Sequence, residues 1–246
     1  MATSMAHVFG MLGELRYQEC EKRVRVTLGE MLVADTGHPV LIWEPKRVVP
    51  SYAIPIDDIR AELQPMAGAT DATAQPFAVE GLGAGLLDPR TSFGHHTCPG
   101  DVYSVAGTPG VGFRPAELVD LMVLDFDTFD WREEDEPIFG HPRDPFSRID
   151  LRQSTRHVRV ESGGRVLAES SRPLMLFETY LPPRYYLPRA DLQIDLVQSE
   201  TSTVCAYKGS ATHWSHPELG ADLCWSYPHP PPEMHQITDL VCFYQE

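Results

Sequence analysis

The sequence predicts an all-β protein built from two homologous small antiparallel domains, each with one short helix, related by an approximate internal two-fold. Short apolar runs alternate with turn residues along the whole chain of 246 residues, a pattern typical of strands rather than long helices. The 22 prolines fall between these runs and oppose helix formation. In addition, the second half of the chain repeats the first.

The repeat becomes visible when the chain is aligned with itself at a displacement of 134 residues. Residues 24–44 (VRVTLGEMLVADTGHPVLIWE) then match residues 158–178 (VRVESGGRVLAESSRPLMLFE). Each copy contains a glycine turn in its first third and ends on a carboxylate, Glu44 or Glu178. The match therefore predicts two copies of the same arrangement of strands.

Two later matches follow in the same order. HTCPGD (96–101) aligns with TVCAYKG (203–209), and LVDLMVL (118–124) aligns with ITDLVCF (237–243). One such match could arise by chance, but several in a constant order indicate a duplication. The internal repeat predicts a pseudo-dimer within one chain, and the sequence does not specify an oligomeric state beyond it.

We interpret the apolar runs of each copy as short strands. In the first copy VRVTL, MLVAD, VLIWE and SYAIP are β-branched or apolar and end at turn residues, as strands do. LQIDLV (192–197) alternates apolar and polar residues, which is the period of a strand, and we interpret its counterpart IRAEL (59–63) in the same way. EMHQITDL (233–240) predicts a helical turn before a last strand, VCFY.

These patterns divide the chain into two domains and a linker. The first domain is predicted over 15–130, and it contains an insertion, 64–90, that is rich in Gly, Ala and Pro. Such a segment is either an ordinary surface loop or a lid over a pocket. The Arg- and Asp-rich stretch 131–155 is predicted to be the linker, and 156–246 the second domain.

Composition limits the partners and the location. The net charge of −15 disfavours nucleic acid and anionic membrane surfaces, which attract basic proteins. No apolar run approaches the roughly 20 residues that span a bilayer. Five cysteines without a CxxC pair, and a start without a basic leader, favour a reduced cytoplasmic protein.

Three side chains of the second half are candidates for catalysis. Glu178 ends an apolar strand, where it is either a half-buried general acid or base or a carboxylate in water. Lys208 precedes Gly209. If this glycine lets the backbone approach a ligand closely, Lys208 acts as an acid or binds an anion; the alternative is an ordinary exposed lysine. His213 lies in a group of aromatic residues and is the alternative acid or base.

Six further residues are candidates for binding a ligand. Arginine contacts anions, and aromatic side chains stack on organic molecules, although the same aromatic residues also suit an ordinary core. Adjacent tyrosines on a strand point to opposite faces, so only one of such a pair can enter a given pocket. The six are Arg184, Tyr185, Tyr186, Tyr207, Trp214 and Trp225.

The sequence predicts neither a metal site nor a cofactor. GTPGVG (107–112) lacks the lysine that follows the glycines of a phosphate-binding loop. The histidines and cysteines fit no standard set of zinc ligands. No Gly-x-Ser-x-Gly nucleophile motif is present either.

The second half resembles a known family. The run WREEDEPIFGHPRDPFSRIDLRQSTRHVRV, the segments PPRYYLP and TVCAYKG, and a Trp-Ser-Tyr-Pro near the end are similar to the family catalogued as domain of unknown function 427. The resemblance is strong over 131–246 and weak over 15–126, and it implies a compact, tent-like β fold that often occurs in tandem copies. Ala206 departs from the family, which usually has proline there.

The resemblance brings a nucleotidyltransferase-like label but no established reaction. A nucleotidyltransferase needs paired acidic metal ligands and a phosphate-cradling loop, which the sequence does not display, so this activity is not expected. We predict instead a cofactor-independent enzyme, or a binder of a small organic molecule or anion, with its pocket in the second domain. The alternative is a non-catalytic structural or protein-interaction module. The first copy has Gly100 and Asp101 where Tyr207 and Lys208 stand, so it would be a scaffold or lid.

Overall fold

The structure, a computed structural model, describes residues 10–67, 76–77, 86–87, 91–179, 181–205 and 207–245. The chain forms two compact units, Met1–Asp144 and Pro145–Glu246. Antiparallel sheets dominate the described residues, which confirms the all-β prediction. The named helical elements of this part of the chain are short 3₁₀ turns, two in each unit: Met11–Gly13, Ile56–Asp58, Arg189–Asp191 and Pro232–Ile237. None of these turns has the length or hydropathy to cross a membrane.

The first unit is made of short strands that follow the apolar runs of the sequence. In chain order they are β1 (Arg16–Glu19), β2 (Val24–Leu28), β3 (Met31–Thr36), β4 (Val40–Trp43), β5 (Ser51–Pro55), β6 (Leu63–Pro65), β7 (Pro76–Phe77), β8 (Leu86–Leu87), β9 (Gly100–Val105), β10 (Thr108–Pro115), β11 (Leu121–Leu124), β12 (Asp130–Glu133) and β13 (Glu136–Ile138). One sheet has the order β1-β4-β5-β11-β10-β9-β6, and a second has the order β13-β12-β2-β3. β7 and β8 pair with each other.

The second unit repeats this plan with fewer additions. Its strands are β14 (Ile149–Gln153), β15 (Val158–Ser162), β16 (Arg165–Ser170), β17 (Leu174–Glu178), β18 (Arg184–Leu187), β19 (Val197–Cys205), β20 (Gly209–His216), β21 (Gly220–Ser226) and β22 (Val241–Phe243). The large sheet has the order β14-β17-β18-β22-β21-β20-β19, and β15 and β16 form a separate hairpin.

The two seven-stranded sheets have the same order of strands. Each strand of the first sheet has a counterpart at the same place in the chain and in the second sheet, from β1 and β14 at one edge to β6 and β19 at the other. The glycines that turn β2 into β3 and β15 into β16, Gly29 and Gly163, both have φ +58°. The segments that match within the sequence thus lie in sheets with the same order of strands.

Two predicted strands were wrong. IRAEL (59–63) and LQIDLV (192–197) follow 3₁₀ turns, and each makes only an isolated bridge at its first residue, to Ala34 and Ala168 respectively. β6 and β19 begin at the last residues of these segments. The alternation in LQIDLV arises because its apolar side chains pack on the core without joining a strand ladder. The predicted final helical turn is present at Pro232–Ile237 and precedes β22.

The stretch predicted as a linker contains strands of both units. β12 and β13 pair within the first unit, where β12 lies against β2. β14 pairs with β17 of the second unit. Of the predicted insertion 64–90, only 64–67, 76–77 and 86–87 are among the described residues, so its interpretation as a lid lies outside them.

The large sheet of the second unit carries a core cluster on each face. The Tyr186 face is formed by Leu174, Leu176, Tyr186, Ala211, Tyr227, Ile237 and Cys242. The Leu187 face is formed by Leu167, Ala168, Leu187, Ile194, Cys224, Val241 and Phe243. Successive residues of β18 therefore point to opposite faces, as expected for a strand.

Candidate functional site

A buried ion pair joins Lys208 to Glu178 in the second unit. The two side chains are only 8% and 10% exposed. Glu178 ends β17 and shares the Tyr186 face with Leu174 and Leu176, because alternate residues of a strand point the same way. Lys208 lies in the turn from β19 to β20, and Gly209 follows it with φ +83°, a conformation that favours glycine.

This ion pair spans a large part of the sheet. β18, β22 and β21 lie between β17 and β20. In a flat sheet these two strands would be about 19 Å apart, since neighbouring strands are spaced about 4.8 Å. The contact between Glu178 and Lys208 therefore requires the sheet to curl around the Tyr186 face, and the ion pair closes the concave side.

The electrostatic surroundings keep Lys208 charged. Burial alone would lower the pKa of Lys208, but the neighbouring Cys205 and Glu178 side chains outweigh burial and raise this pKa above its ordinary value of 10.5. Burial also raises the pKa of the Tyr186 and Tyr227 hydroxyls. The two phenols thus remain protonated, and the ion pair lies among neutral hydroxyl groups and the Cys205 thiol.

Arg184 and Trp225 belong to the same face. The Arg184 guanidinium lies over the Trp225 ring, 5.5 Å from its centroid. Trp225 and Tyr186 lie on the same face of the sheet, because Cys242 is the cross-strand partner of both. Six of the nine predicted site residues are therefore on one face of the curled sheet: Glu178, Arg184, Tyr186, Lys208, His213 and Trp225.

His213 and Tyr207 occupy different parts of this region. His213 is 3% exposed, and its Nε2 lies 2.9 Å from the Thr203 hydroxyl. Its cross-strand partner is Trp225. The polar contact described for His213 is the one with Thr203, and not one with the ion pair. Tyr207 is half-buried in the turn directly before Lys208.

Tyr185 and Trp214 lie on the Leu187 face instead. The Trp214 indole donates a hydrogen bond to the Ser226 hydroxyl at 2.9 Å, and the Arg189 guanidinium covers its ring at 4.0 Å. The body of the sheet separates both side chains from Glu178. They cannot line a pocket together with the ion pair.

Residues 150–246 match the family described as a domain of unknown function, DUF427. The match covers nearly all of the second unit, and it includes both members of the ion pair. After this match we call the second unit, Pro145–Glu246, the DUF427 unit. No curated protein matches the chain.

The first unit contains a related arrangement at the position that corresponds to the ion pair of the DUF427 unit. Glu44, directly after β4, is 3% exposed. Its carboxylate lies 2.7 Å from Nδ1 of His96 and accepts a hydrogen bond of 2.5 Å from the Thr97 backbone N–H. The Cys98 sulfur lies 3.8 Å from the same carboxylate. An imidazole thus replaces the ammonium of the DUF427 unit.

The environment of Glu44 favours its ionised form. Burial alone would raise the pKa of Glu44, but hydrogen bonds from His96 and Thr97, with the charge of Arg47, outweigh burial and lower this pKa below 4.5. Arg47 is itself 4% exposed and donates to the backbone oxygens of Ser92 and His95 at 2.6 and 2.5 Å. The first unit therefore carries a closed polar network.

The sequence did not identify this network in the first copy. The alignment of Cys98 with Cys205 could have indicated that the residues next to Cys98 approach Glu44. Packing explains why Tyr207 has no counterpart there, since a Cβ atom on Gly100 would lie 2.4 Å from the backbone oxygen of Arg114.

Neither unit shows a metal centre in the part of the chain that is described. No cluster of three or more His, Cys, Asp or Glu side chains there is arranged to hold an ion. All five cysteines are free thiols, and Cys98, Cys224 and Cys242 are buried.

Proposed function

We propose that the DUF427 unit binds a small organic molecule and acts on it by acid–base chemistry at Glu178 and Lys208. The supporting observation is the buried ion pair itself, in which a charged ammonium and a carboxylate meet beside the Cys205 thiol. Such groups are general acids, general bases and anion contacts when a substrate reaches them. All of them belong to the chain, so the proposed chemistry uses no cofactor.

In this proposal the ligand takes the place of Glu178 as the partner of Lys208. A carboxylate or carbonyl oxygen of the ligand accepts a hydrogen bond from the Lys208 ammonium in place of Glu178. The released carboxylate of Glu178 then accepts a proton from the ligand. Arg184, held over Trp225, provides a second contact for an anionic group.

A thermal-shift screen of small organic acids against the whole protein tests this function. A ligand of the proposed site stabilises the wild type, and this stabilisation is lost in Lys208→Met and in Glu178→Gln. Arg165→Met is the matched control, because Arg165 forms an exposed ion pair with Glu218 in the same unit. Ligand binding that is indifferent to Lys208→Met rules out the proposed role of the lysine.

The first unit supports a second candidate, a non-catalytic structural module. There the equivalent carboxylate, Glu44, is closed by His96 and Thr97 and contributes to a network inside the core. In this alternative the ion pair of the DUF427 unit only holds the curled sheet together. Glu178→Leu/Lys208→Met would then retain every property of the protein except the charge, since well-packed apolar residues can replace a buried ion pair.

We further propose that the first unit is a diverged copy of the DUF427 domain, which makes the chain a tandem repeat. The shared order of seven strands supports this. The equivalent placement of Glu44 and Cys98 with Glu178 and Cys205 supports it independently. The two copies differ in the group that meets the carboxylate, and only the second has the ammonium that the proposed chemistry uses.

A further inference from the structure

One edge of the large sheet in the DUF427 unit carries polar side chains that the proposed function does not use. They are Thr203, His213 and Asp222, which belong to the consecutive strands β19, β20 and β21. Thr203 pairs with Ala211, two residues before His213. Because alternate residues of a strand point the same way, the hydroxyl of Thr203 and the imidazole of His213 lie on one face of the sheet.

A bulge in β21 turns Asp222 toward this same face. Leu223 and Cys224 are consecutive, yet both pack on the Leu187 face, and Asp222 has φ +52°. The usual alternation of side chains is therefore interrupted at this point, as it is in a β-bulge. The carboxylate of Asp222 reaches over β20, since it accepts a hydrogen bond of 2.7 Å from the Thr201 hydroxyl of β19. It thus lies beside the imidazole that β20 carries.

The imidazole of His213 is buried between the hydroxyl and the carboxylate. His213 is 3% exposed, and its Nε2 lies 2.9 Å from the Thr203 hydroxyl. Its Nδ1 has no hydrogen-bond partner among the described residues. The hydroxyls of Ser199 and Thr201 and the nearby imidazole outweigh burial and lower the pKa of Asp222 below its ordinary value of 3.8. An ionised carboxylate favours a proton on Nδ1, which leaves Nε2 able to accept the proton of Thr203.

Thr203 is open to solvent although its imidazole partner is not. In the described part of the chain β19 is an edge strand, which pairs with β20 and with no strand on its other side. Alternate residues of an edge strand turn their backbone N–H groups outward. Either Thr203 or both of its neighbours, Ser202 and Val204, therefore present an N–H beside the hydroxyl. Such a donor can stabilise negative charge on a reacting carbonyl oxygen.

We infer that Thr203 is a nucleophile for acyl transfer, with His213 as its general base. The Thr203 oxygen attacks the carbonyl carbon of an activated ester, and its proton passes to Nε2 of His213. The charge of Asp222 stabilises the imidazolium that forms. The bond from the carbonyl carbon to the leaving oxygen then breaks, the imidazolium returns the proton to the leaving group, and the acyl group stays on Thr203 as an ester. This site is independent of the function proposed for the ion pair.

Incubation of the whole protein with p-nitrophenyl acetate tests the inference. We expect an acetyl ester on Thr203, located by fragmentation of the tryptic peptide 190–208 in a mass spectrometer. Thr201 is the internal comparison, because it is an exposed threonine of the same strand whose hydroxyl donates to a carboxylate instead of contacting an imidazole. Thr203 is acetylated about ten-fold or more faster than Thr201. Absence of the ester on Thr203, or equal rates at the two threonines, overturns the inference.

Substitutions of the three side chains identify their roles. Thr203→Val abolishes acetylation at this position, and Thr203→Ser retains it because the hydroxyl is kept. His213→Gln slows acetylation of residue 203 about 100-fold, and Asp222→Asn slows it about ten-fold. His235→Gln is the matched control, since His235 is an exposed histidine of the same unit whose Nδ1 contacts a backbone oxygen.

Hydrogen exchange of peptides from 145–246 shows which variants keep the wild-type fold. Acetylation of Thr203 at the wild-type rate in folded His213→Gln overturns the inference. If His213→Gln does not fold, the same result in Asp222→Asn overturns it.

Discussion

Lys208 and Glu178 form a buried ion pair although three strands lie between the strands at which they are placed. Glu44 and His96 make the corresponding contact in the first unit. In both units a carboxylate at the end of the second strand in the sheet meets a group beside the sixth. Curling of the sheet is thus tied to a polar contact in each case, in which the partner of the carboxylate is an ammonium in the second unit and an imidazole in the first.

Lys208→Met is expected to destabilise the DUF427 unit by about 3 kcal/mol, because it leaves Glu178 buried without its partner. The measurement is amide hydrogen exchange by mass spectrometry, in which peptides from 145–246 exchange faster in the variant than in the wild type. Peptides of the first unit show whether the substitution also affects the rest of the protein. The matched Arg165→Met variant, which breaks the exposed pair with Glu218, leaves the exchange of the same peptides nearly unchanged.

The double variant Glu178→Leu/Lys208→Met completes this experiment. Removal of both charges eliminates the unpaired carboxylate, so the double variant recovers most of the stability lost in Lys208→Met. Additive losses from the two single substitutions would show that the side chains do not interact, and would contradict the ion pair.

Much of the fold and the two side chains of the ion pair followed from local patterns, but the contact between those side chains did not. The short strands were readable because turn residues and apolar runs recur along the chain, and the proposed repeat rests on the constant order in which they recur. LQIDLV was misassigned because Ile194 packs on the core while its backbone stays outside the strand ladder. The pairing of Glu178 with Lys208 depends on sheet curvature, which is a property of many residues together. Local spacing also placed Trp214 beside His213 but could not show that the sheet separates it from Glu178.

The thiols are expected to react in two groups. Burial raises the pKa of Cys98, Cys224 and Cys242 to about 12, so these three are protected both from solvent and from ionisation. Only half-buried Cys20 and Cys205 are accessible. Titration with a chromogenic disulfide reagent therefore detects at most two thiols in the native protein and all five after denaturation.

Serine substitutions assign these thiols. Cys20→Ser and Cys205→Ser each remove one equivalent of the fast reaction, whereas Cys224→Ser removes none. Rapid reaction of a third thiol in native conditions would mean that the core of a unit opens readily.

Gly29 and Gly163 should respond alike to substitution. Both have φ +58° and open space around the position of a Cβ atom, so alanine brings backbone strain but no collision. Gly29→Ala and Gly163→Ala are each expected to destabilise their own unit by about 1 kcal/mol, measured by hydrogen exchange of the peptides of that unit. Gly37→Ala is the control, because Gly37 has neither a left-handed φ nor a close neighbour. A large difference between the first two variants would argue that the hairpins are not equivalent.

Acid should weaken the first unit through Glu44. The folded unit lowers the pKa of this carboxyl below 4.5 because His96, Thr97 and Arg47 outweigh the opposing effect of burial. Because the pKa of Glu44 is lower in the folded than in the unfolded state, ionisation of this carboxyl stabilises the fold. The stabilisation is complete above pH 4.5 and is lost as the pH falls through the pKa of the folded state. Glu44→Gln removes the ionisable group, so protection of peptides from 10–67 against hydrogen exchange falls less steeply with acid than in the wild type. The exposed Glu30→Gln variant keeps the wild-type dependence, and equal acid sensitivity of Glu44→Gln and wild type would contradict the role of Glu44.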